Sequence, residues 1–274
     1  MDETEYASPS SSNMTKLISQ VLELGSTAVI ITVMAGTESI GSKLLVHESG
    51  EAVGSLGNKE LDDSVLSAAK KFLHTRDDTR MIAVKEFAPE ISTASELLLL
   101  FERLSPMPRL VVCGAGHVGA ALAKLGAFIG YQTTLIDDRE QFVRSDRFPN
   151  EEIELVLAED WGESVRTAIG SAKGVAVAVV TRGHNEDERC MEAILNATPP
   201  NYVGLIGSKR RTTIVIDHLR RAGVPEERLK GVRAPIGLDI GAVTPEEVAI
   251  AIIAEIIAER RGGEGGSLSA WRRQ

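Results

Sequence analysis

Residues Leu110 to Gly119, Leu-Val-Val-Cys-Gly-Ala-Gly-His-Val-Gly, combine an apolar strand, a G-x-G-x-x-G loop and the start of a helix. This is a junction that can hold a phosphate. Gly114 permits the tight turn, Gly116 lets backbone approach a diphosphate, and Gly119 lets helix and strand pack closely. The helix N-terminus, opening at His117 and Val118, presents unpaired N–H groups and partial positive charge to phosphate oxygens. Asp137 ends the next strand, where a carboxylate can accept hydrogen bonds from a ribose diol, while neighbouring Arg139 suits a phosphorylated ribose. His117 admits two readings, a ligand contact in the first turn or a surface residue at a helix end. Cys113 reads as a small core residue rather than a reactive thiol, because strand interiors bury it and raise its pKa.

Three further loops carry polar chemistry. Thr181-Arg182-Gly183-His184-Asn185-Glu186-Asp187 follows an apolar strand. Arg182, His184 and Asp187 offer a cation, a base and an acid for proton transfer or cofactor contact. The same loop also reads as an ordinary polar connection capping the next helix. Two ligand types close in sequence are too few for a metal site. Gly207-Ser208-Lys209-Arg210-Arg211 sets three cations at a helix start, where each opposes the dipole by roughly 0.3–1 kcal/mol if exposed. A bound anion would offset that repulsion, as would pairing with the chain's acids. In Ala234-Pro235-Ile236-Gly237-Leu238-Asp239-Ile240-Gly241, Asp239 lies either in a buried structural turn or on a wall of the ligand pocket.

These loops need a sheet to bring them together. Strand patterns at 110–113, 133–136, 153–157, 175–180 and 202–206 alternate with helical patterns at 117–129, 139–146, 161–169, 187–196, 209–222 and 245–260. Such alternation predicts a Rossmann-like, doubly wound parallel sheet over 109–262, with ligands at the carboxyl ends of the strands. A strand order of 3-2-1-4-5 would set the 181–187 loop beside the glycine loop. Ser105-Pro106-Met107-Pro108 breaks any element and reads as a linker. Residues 15–104 predict a smaller α+β domain, with helices at 16–24 and 62–73 and a strand at 27–34. A hairpin follows at 43–47 and 51–56, with further strands at 81–87 and 97–104. Residues 1–14 read as a disordered tail and 263–274 as a flexible one.

Composition bounds the function. A net charge of −9 over 274 residues argues against general binding to nucleic acid or membrane surfaces, both polyanions. No segment has signal-peptide or membrane-spanning character. Two cysteines give neither a disulfide framework nor a zinc cluster, so a reducing cytoplasm is the simple reading.

Taken together, GAGHVG, IDDR (136–139), TRGHNED (181–187), YVGLIGSKRR (202–211) and APIGLDIGAVTPEEVA (234–249) resemble the XdhC/CoxI family, accessory proteins for xanthine dehydrogenase and related molybdenum hydroxylases. The N-terminal stretch is similar through Gly41–Val46 and Gly54–Gly57. It departs where the family carries G-S-x-P-R, here Gly36-Thr37-Glu38-Ser39-Ile40. It departs again where the family carries G-G-G-C-x-E, here Gly57-Asn58-Lys59-Glu60-Leu61-Asp62, which puts Glu60 at the cysteine position. The resemblance implies a non-catalytic maturation factor that binds molybdenum cofactor (molybdopterin or its dinucleotide form). It would protect the cofactor during sulfuration and deliver it to a hydroxylase apoenzyme. The implied partners are that apoenzyme, a cysteine desulfurase and a second copy of the chain. Two other readings stay open: an NAD(P)-dependent oxidoreductase with His184 as proton donor, and a nucleotide-sensing regulatory module.

Overall fold

The computed structural model describes residues 11–36, 39–91, 96–149, 151–170, 174–197 and 200–269. The chain divides between Pro106 and Met107 into two compact units.

The first unit contains α1 (Ser11–Glu23), β1 (Ala28–Ala35), β2 (Lys43–His47), β3 (Ala52–Gly54), α2 (Lys59–Leu73), β4 (Thr79–Ala83) and β5 (Leu98–Leu104). Its antiparallel sheet runs β3-β2-β1-β5-β4. The β-branched run of β1 is central and covered on both faces, as its alternation requires. Val29, Ile31 and Val33 pack with Leu61, Val65 and Phe72 of α2, whereas Ala28 and Ile30 pack with Met14 and Val21 of α1.

Several expectations are corrected here. Residues 11–14 belong to α1 rather than to a disordered tail, because its apolar positions close the open face of β1; residues 1–10 lie outside the described residues. The strand expected over 81–87 starts at Thr79 and gives way to a 3-10 turn, Val84–Glu86. α2 starts at Lys59 because the Asn58 side chain accepts the Glu60 amide at 2.8 Å, an N-cap. Glu60 therefore sits in a helical first turn. Of the segment that departs from the G-S-x-P-R pattern, Thr37 and Glu38 lie outside the described residues.

The second unit contains β6 (Arg109–Cys113), α3 (His117–Phe128), β7 (Gln132–Asp137), β8 (Ile153–Leu157), α4 (Trp161–Ile169), β9 (Val175–Val179), α5 (His184–Asn196), β10 (Tyr202–Leu205), α6 (Lys209–Arg221), α7 (Glu226–Lys230), β11 (Val232–Arg233) and α8 (Pro245–Arg261). Its sheet is parallel throughout, ordered β11-β10-β9-β6-β7-β8. β6 thus lies between β7 and β9, where the winding reverses. The order agrees with the expected 3-2-1-4-5 and adds a sixth strand, β11, too short to leave a pattern.

β9, Val-Ala-Val-Ala-Val, shows why the sheet is closed on both faces. Val175, Val177 and Val179 meet α4, α5 and α6, while Ala176 and Ala178 meet α3 and α8. The small alanines suit the α8 side, whose inward face supplies bulky Ile252, Ile253 and Ile256.

The helix expected over 139–146 is instead two 3-10 turns, Glu140–Phe142 and Ser145–Arg147. The Phe142 carbonyl accepts Arg147 Nη1 at 2.8 Å rather than a helical amide, and Arg139 and Arg147 both stack on the Phe142 ring. α5 begins at His184, three residues before the expected start. Gly262, in the left-handed conformation, ends α8, and residues 263–269 form no regular element. Residues 270–274 lie outside the described residues.

Candidate functional site

The three glycines of the first loop meet different demands. Gly114 has φ +110, and a Cβ there would lie 2.6 Å from the Val180 carbonyl oxygen. A Cβ on Gly119 would lie 1.7 Å from the Gly114 oxygen, so helix and loop touch through bare backbone. Gly116 differs: its φ of −65 suits any residue, and a Cβ there would meet nothing within 4 Å. Neither strain nor packing asks for glycine at 116. The position faces open space directly before α3.

Asp137 is 1% exposed and fully engaged. One oxygen accepts the Arg139 amide (3.0 Å) and Arg139 Nε (2.7 Å); the other accepts the Ala115 amide (2.7 Å) and Arg139 Nη2 (2.9 Å). Four donors occupy the four acceptor sites of a carboxylate. Burial alone would raise the Asp137 pKa, but the Arg139 and Ala115 hydrogen bonds outweigh it and hold the group below its usual 3.8. Arg147 Nη1 adds a contact of 3.4 Å to the Ala115 carbonyl. The acid foreseen as a ribose acceptor thus braces the glycine loop.

On the other side of β6, Asp187 is fully buried at the first turn of α5. It accepts the Thr181 hydroxyl at 2.6 Å and an Arg211 pair, Nε at 2.9 Å and Nη2 at 2.5 Å. Arg211 Nη2 also donates to the Thr181 carbonyl at 3.2 Å. Burial pushes Asp187 above its usual 3.8 against the pull of these partners. Asp187 therefore staples the 181–187 loop to α6 rather than facing a ligand. Arg182 reaches across to Asp138 at 3.0 Å, joining that loop to the end of β7.

What remains open is cationic. Arg182, Gly183, His184, Ser208, Arg210, Arg211 and Ile214 line a cavity of about 410 Å³ where α5 and α6 begin. α3 and α5 start at Gly116 and Gly183 with no side-chain cap, leaving amide donors for a guest. α6 carries no acid in its first turn, and Gly207 leads into the Ser208 cap, whose hydroxyl accepts the Arg211 amide at 3.3 Å. His117 is exposed and Val118 half-buried at the start of α3. Lys209 is exposed and does not line the cavity. Asp239 is exposed, and among the described residues no hydrogen bond or ion pair ties it to these loops. Its loop is held instead by Glu255, which accepts the Gly237 amide (2.9 Å) and the Tyr202 hydroxyl.

A larger cavity, about 910 Å³, lies beside the first residues of β6 and β7, lined in part by Arg109, Gln132 and Phe128. That is the edge opposite to the one where parallel sheets gather ligands, and size does not outweigh the helix ends and cations of the smaller cavity. Among the described residues no three His, Cys, Asp or Glu side chains cluster as metal ligands, and no helix is long and apolar enough to cross a membrane.

Arg211, Asp138 and Thr181 organise this edge without having been singled out for it in the sequence. Arg211 left a signal, the third cation of a helix start, but its partner Asp187 is 24 residues away.

A doubly wound parallel sheet with its glycine loop at the switch point defines a Rossmann-type domain. Residues 110–256, more than half of the chain, match the model of the XdhC Rossmann domain, and residues 21–83 match that of the XdhC and CoxI family. The chain belongs to this family. It is 28% identical to the Escherichia coli K12 protein YqeB over 87% of its own length and 44% of that protein's. It is 29% identical to a Bacillus subtilis 168 protein described as a probable subunit of xanthine dehydrogenase, over 60% of its own length and 46% of the relative's. The chain therefore spans less than half of either relative. A crystal structure of a xanthine dehydrogenase from Bacillus halodurans shares the fold, with a TM-score of 0.63 at 19% identity, covering 91% of this chain and 67% of that one.

Proposed function

We propose that this chain is an accessory protein that holds molybdenum cofactor by its phosphate-bearing end and hands it to a hydroxylase of the xanthine dehydrogenase type. The observation that carries the reading is Gly116, a glycine that neither backbone strain nor any neighbour requires, next to an uncapped helix N-terminus. A close-approaching phosphate is the physical reason left for it. The amides that open α3 and α5, with Arg182, His184, Ser208 and Arg210, would hold the phosphate or nucleotide part.

When bound, the cofactor supplies the metal and sulfur chemistry; the chain binds, orients and shields it. Cys113 and Cys190, the only cysteines, are both buried, and Glu60 stands at the family's cysteine position. Sulfur from a cysteine desulfurase would therefore reach the cofactor without passing through a thiol of this chain.

An NAD-dependent reading loses support from Asp137. A ribose diol needs an acceptor at the end of β7, and the four acceptor sites of that carboxylate are taken within the protein.

Titration of Gly116→Ala with molybdopterin tests the proposal. The variant should fold with an unchanged melting temperature and lose affinity at least tenfold. Wild-type affinity in Gly116→Ala, or tight NAD binding with no retention of molybdopterin, would defeat it.

A further inference from the structure

Arg182 lines the cavity where α5 and α6 begin, yet its guanidinium is already engaged. Nη2 meets Asp138 Oδ2 at 3.0 Å and Glu186 Oε1 at 3.5 Å. Both carboxylates are partly exposed, 29% and 21%, so neither is locked into the core. β6 lies between β9 and β7, so a contact from the loop after β9 to the end of β7 spans the carboxyl end of β6, where the glycine loop leaves the sheet. Glu186 stands at a second place suited to an anion. It is the third residue of α5, and a Cβ at Gly183 would collide with its carboxylate, so the side chain bends back over the helix start. The helix dipole favours a carboxylate there. An arginine and a helix end fit for a ligand phosphate thus each carry an acid of the chain itself.

We infer that Asp138 and Glu186 are internal competitors for the ligand's phosphate, which hold Arg182, yield it to an incoming phosphate and take it back on release. The inference rests on the reading that this edge takes a phosphate, and it adds which anions win the exchange. A terminal phosphate brings about two negative charges and three strong acceptor oxygens, enough to displace one carboxylate from a guanidinium. A carboxylate ligand offers Arg182 no more than Asp138 already does, so the site rejects it. The exchange is mild for the fold, because exposed ion pairs are weak and Asp138 keeps Arg139 Nε at 3.9 Å when Arg182 leaves. Release is likewise eased, since the departing phosphate leaves Arg182 with a partner at hand. That suits a chain that must let its ligand go.

NMR titration of the full chain with pyrophosphate and, separately, with succinate reads even weak binding. Wild type should bind pyrophosphate and not succinate, and the Arg182 guanidinium resonances should shift as pyrophosphate is added. Asp138→Asn should tighten pyrophosphate binding by about three- to tenfold, and Glu186→Gln by a smaller factor, with circular dichroism unchanged. Both gains should shrink as salt rises, because they are Coulombic. If wild type binds pyrophosphate but either variant binds it no more tightly, the inference falls and the phosphate reading stands. The same holds if succinate binds as well as pyrophosphate, or if affinity rises without any movement of the Arg182 resonances. Absence of pyrophosphate binding in wild type and in both variants would defeat the phosphate reading itself, and the inference with it.

Discussion

On either side of β6, the unit solves the same problem twice and differently. Each flank buries an aspartate against an arginine. On the β7 side, Asp137 pairs with Arg139, two residues along, and the backbone amides of Ala115 and Arg139 also donate to it. On the β9–β10 side, Asp187 pairs with Arg211 from another helix, and its further donor is the Thr181 hydroxyl. The local pair ends below the usual carboxylate pKa, the distant pair above it. A buried charge is stabilised less by the count of its partners than by how many are fixed backbone dipoles already in place. The first flank is therefore a self-contained brace for the glycine loop, and the second a staple holding two crossovers together.

The largest effect should come from breaking the staple. Arg211→Ala leaves the fully buried Asp187 with one hydroxyl partner, and such an uncompensated charge destabilises by about 3–5 kcal/mol. Arg139→Ala leaves Asp137 with two backbone amides, those of positions 115 and 139, so about 1–2 kcal/mol is expected. Urea denaturation measures both. Equal losses would erase the distinction between brace and staple.

The same contrast sets opposite responses to pH. Asp137, lowered in the fold, contributes stability that is present above its unfolded pKa near 3.8 and lost as pH falls through its native value. Asp187, raised in the fold, contributes stability that is present below 3.8 and lost as pH climbs through its native value. Replacing each by Asn and following the melting temperature from acid to neutral pH separates them. Asp137→Asn should flatten the acid-side rise, and Asp187→Asn should remove the decline just above it. A shared direction for the two variants would contradict the assignment.

How much of this was legible beforehand follows from range. The parallel sheet was readable because each strand is a short apolar run bounded by turn residues, and the glycine loop because its spacing repeats a backbone requirement. The 3-10 turns after β7 were not, since they arise from Arg139 and Arg147 converging on Phe142 rather than from periodicity. β11, two residues long, carries no pattern to read. At the proposed site, residue types marked loops that the fold gathers along one edge of the sheet, but not the roles of their side chains. Asp137 and Asp187 look like open acids in sequence, and only the fold shows that arginines already hold them. Lys209 and Arg210 are adjacent in sequence, yet only Arg210 lines the cavity.

The smallest expected effect concerns an ion pair that joins the two flanks. Arg182 meets Asp138 at 3.0 Å with both side chains partly exposed, 48% and 29%. Exposed pairs contribute about 0–1 kcal/mol and are screened by salt. Arg182→Ala should therefore lower stability by less than about 1 kcal/mol in dilute buffer, and the difference should vanish near roughly 0.5 M salt. The two flanks are thereby independent modules, each braced from within, with exposed cations spread between them. A loss of about 2 kcal/mol or more that persists in high salt would mean instead that Arg182 locks brace and staple into a single unit.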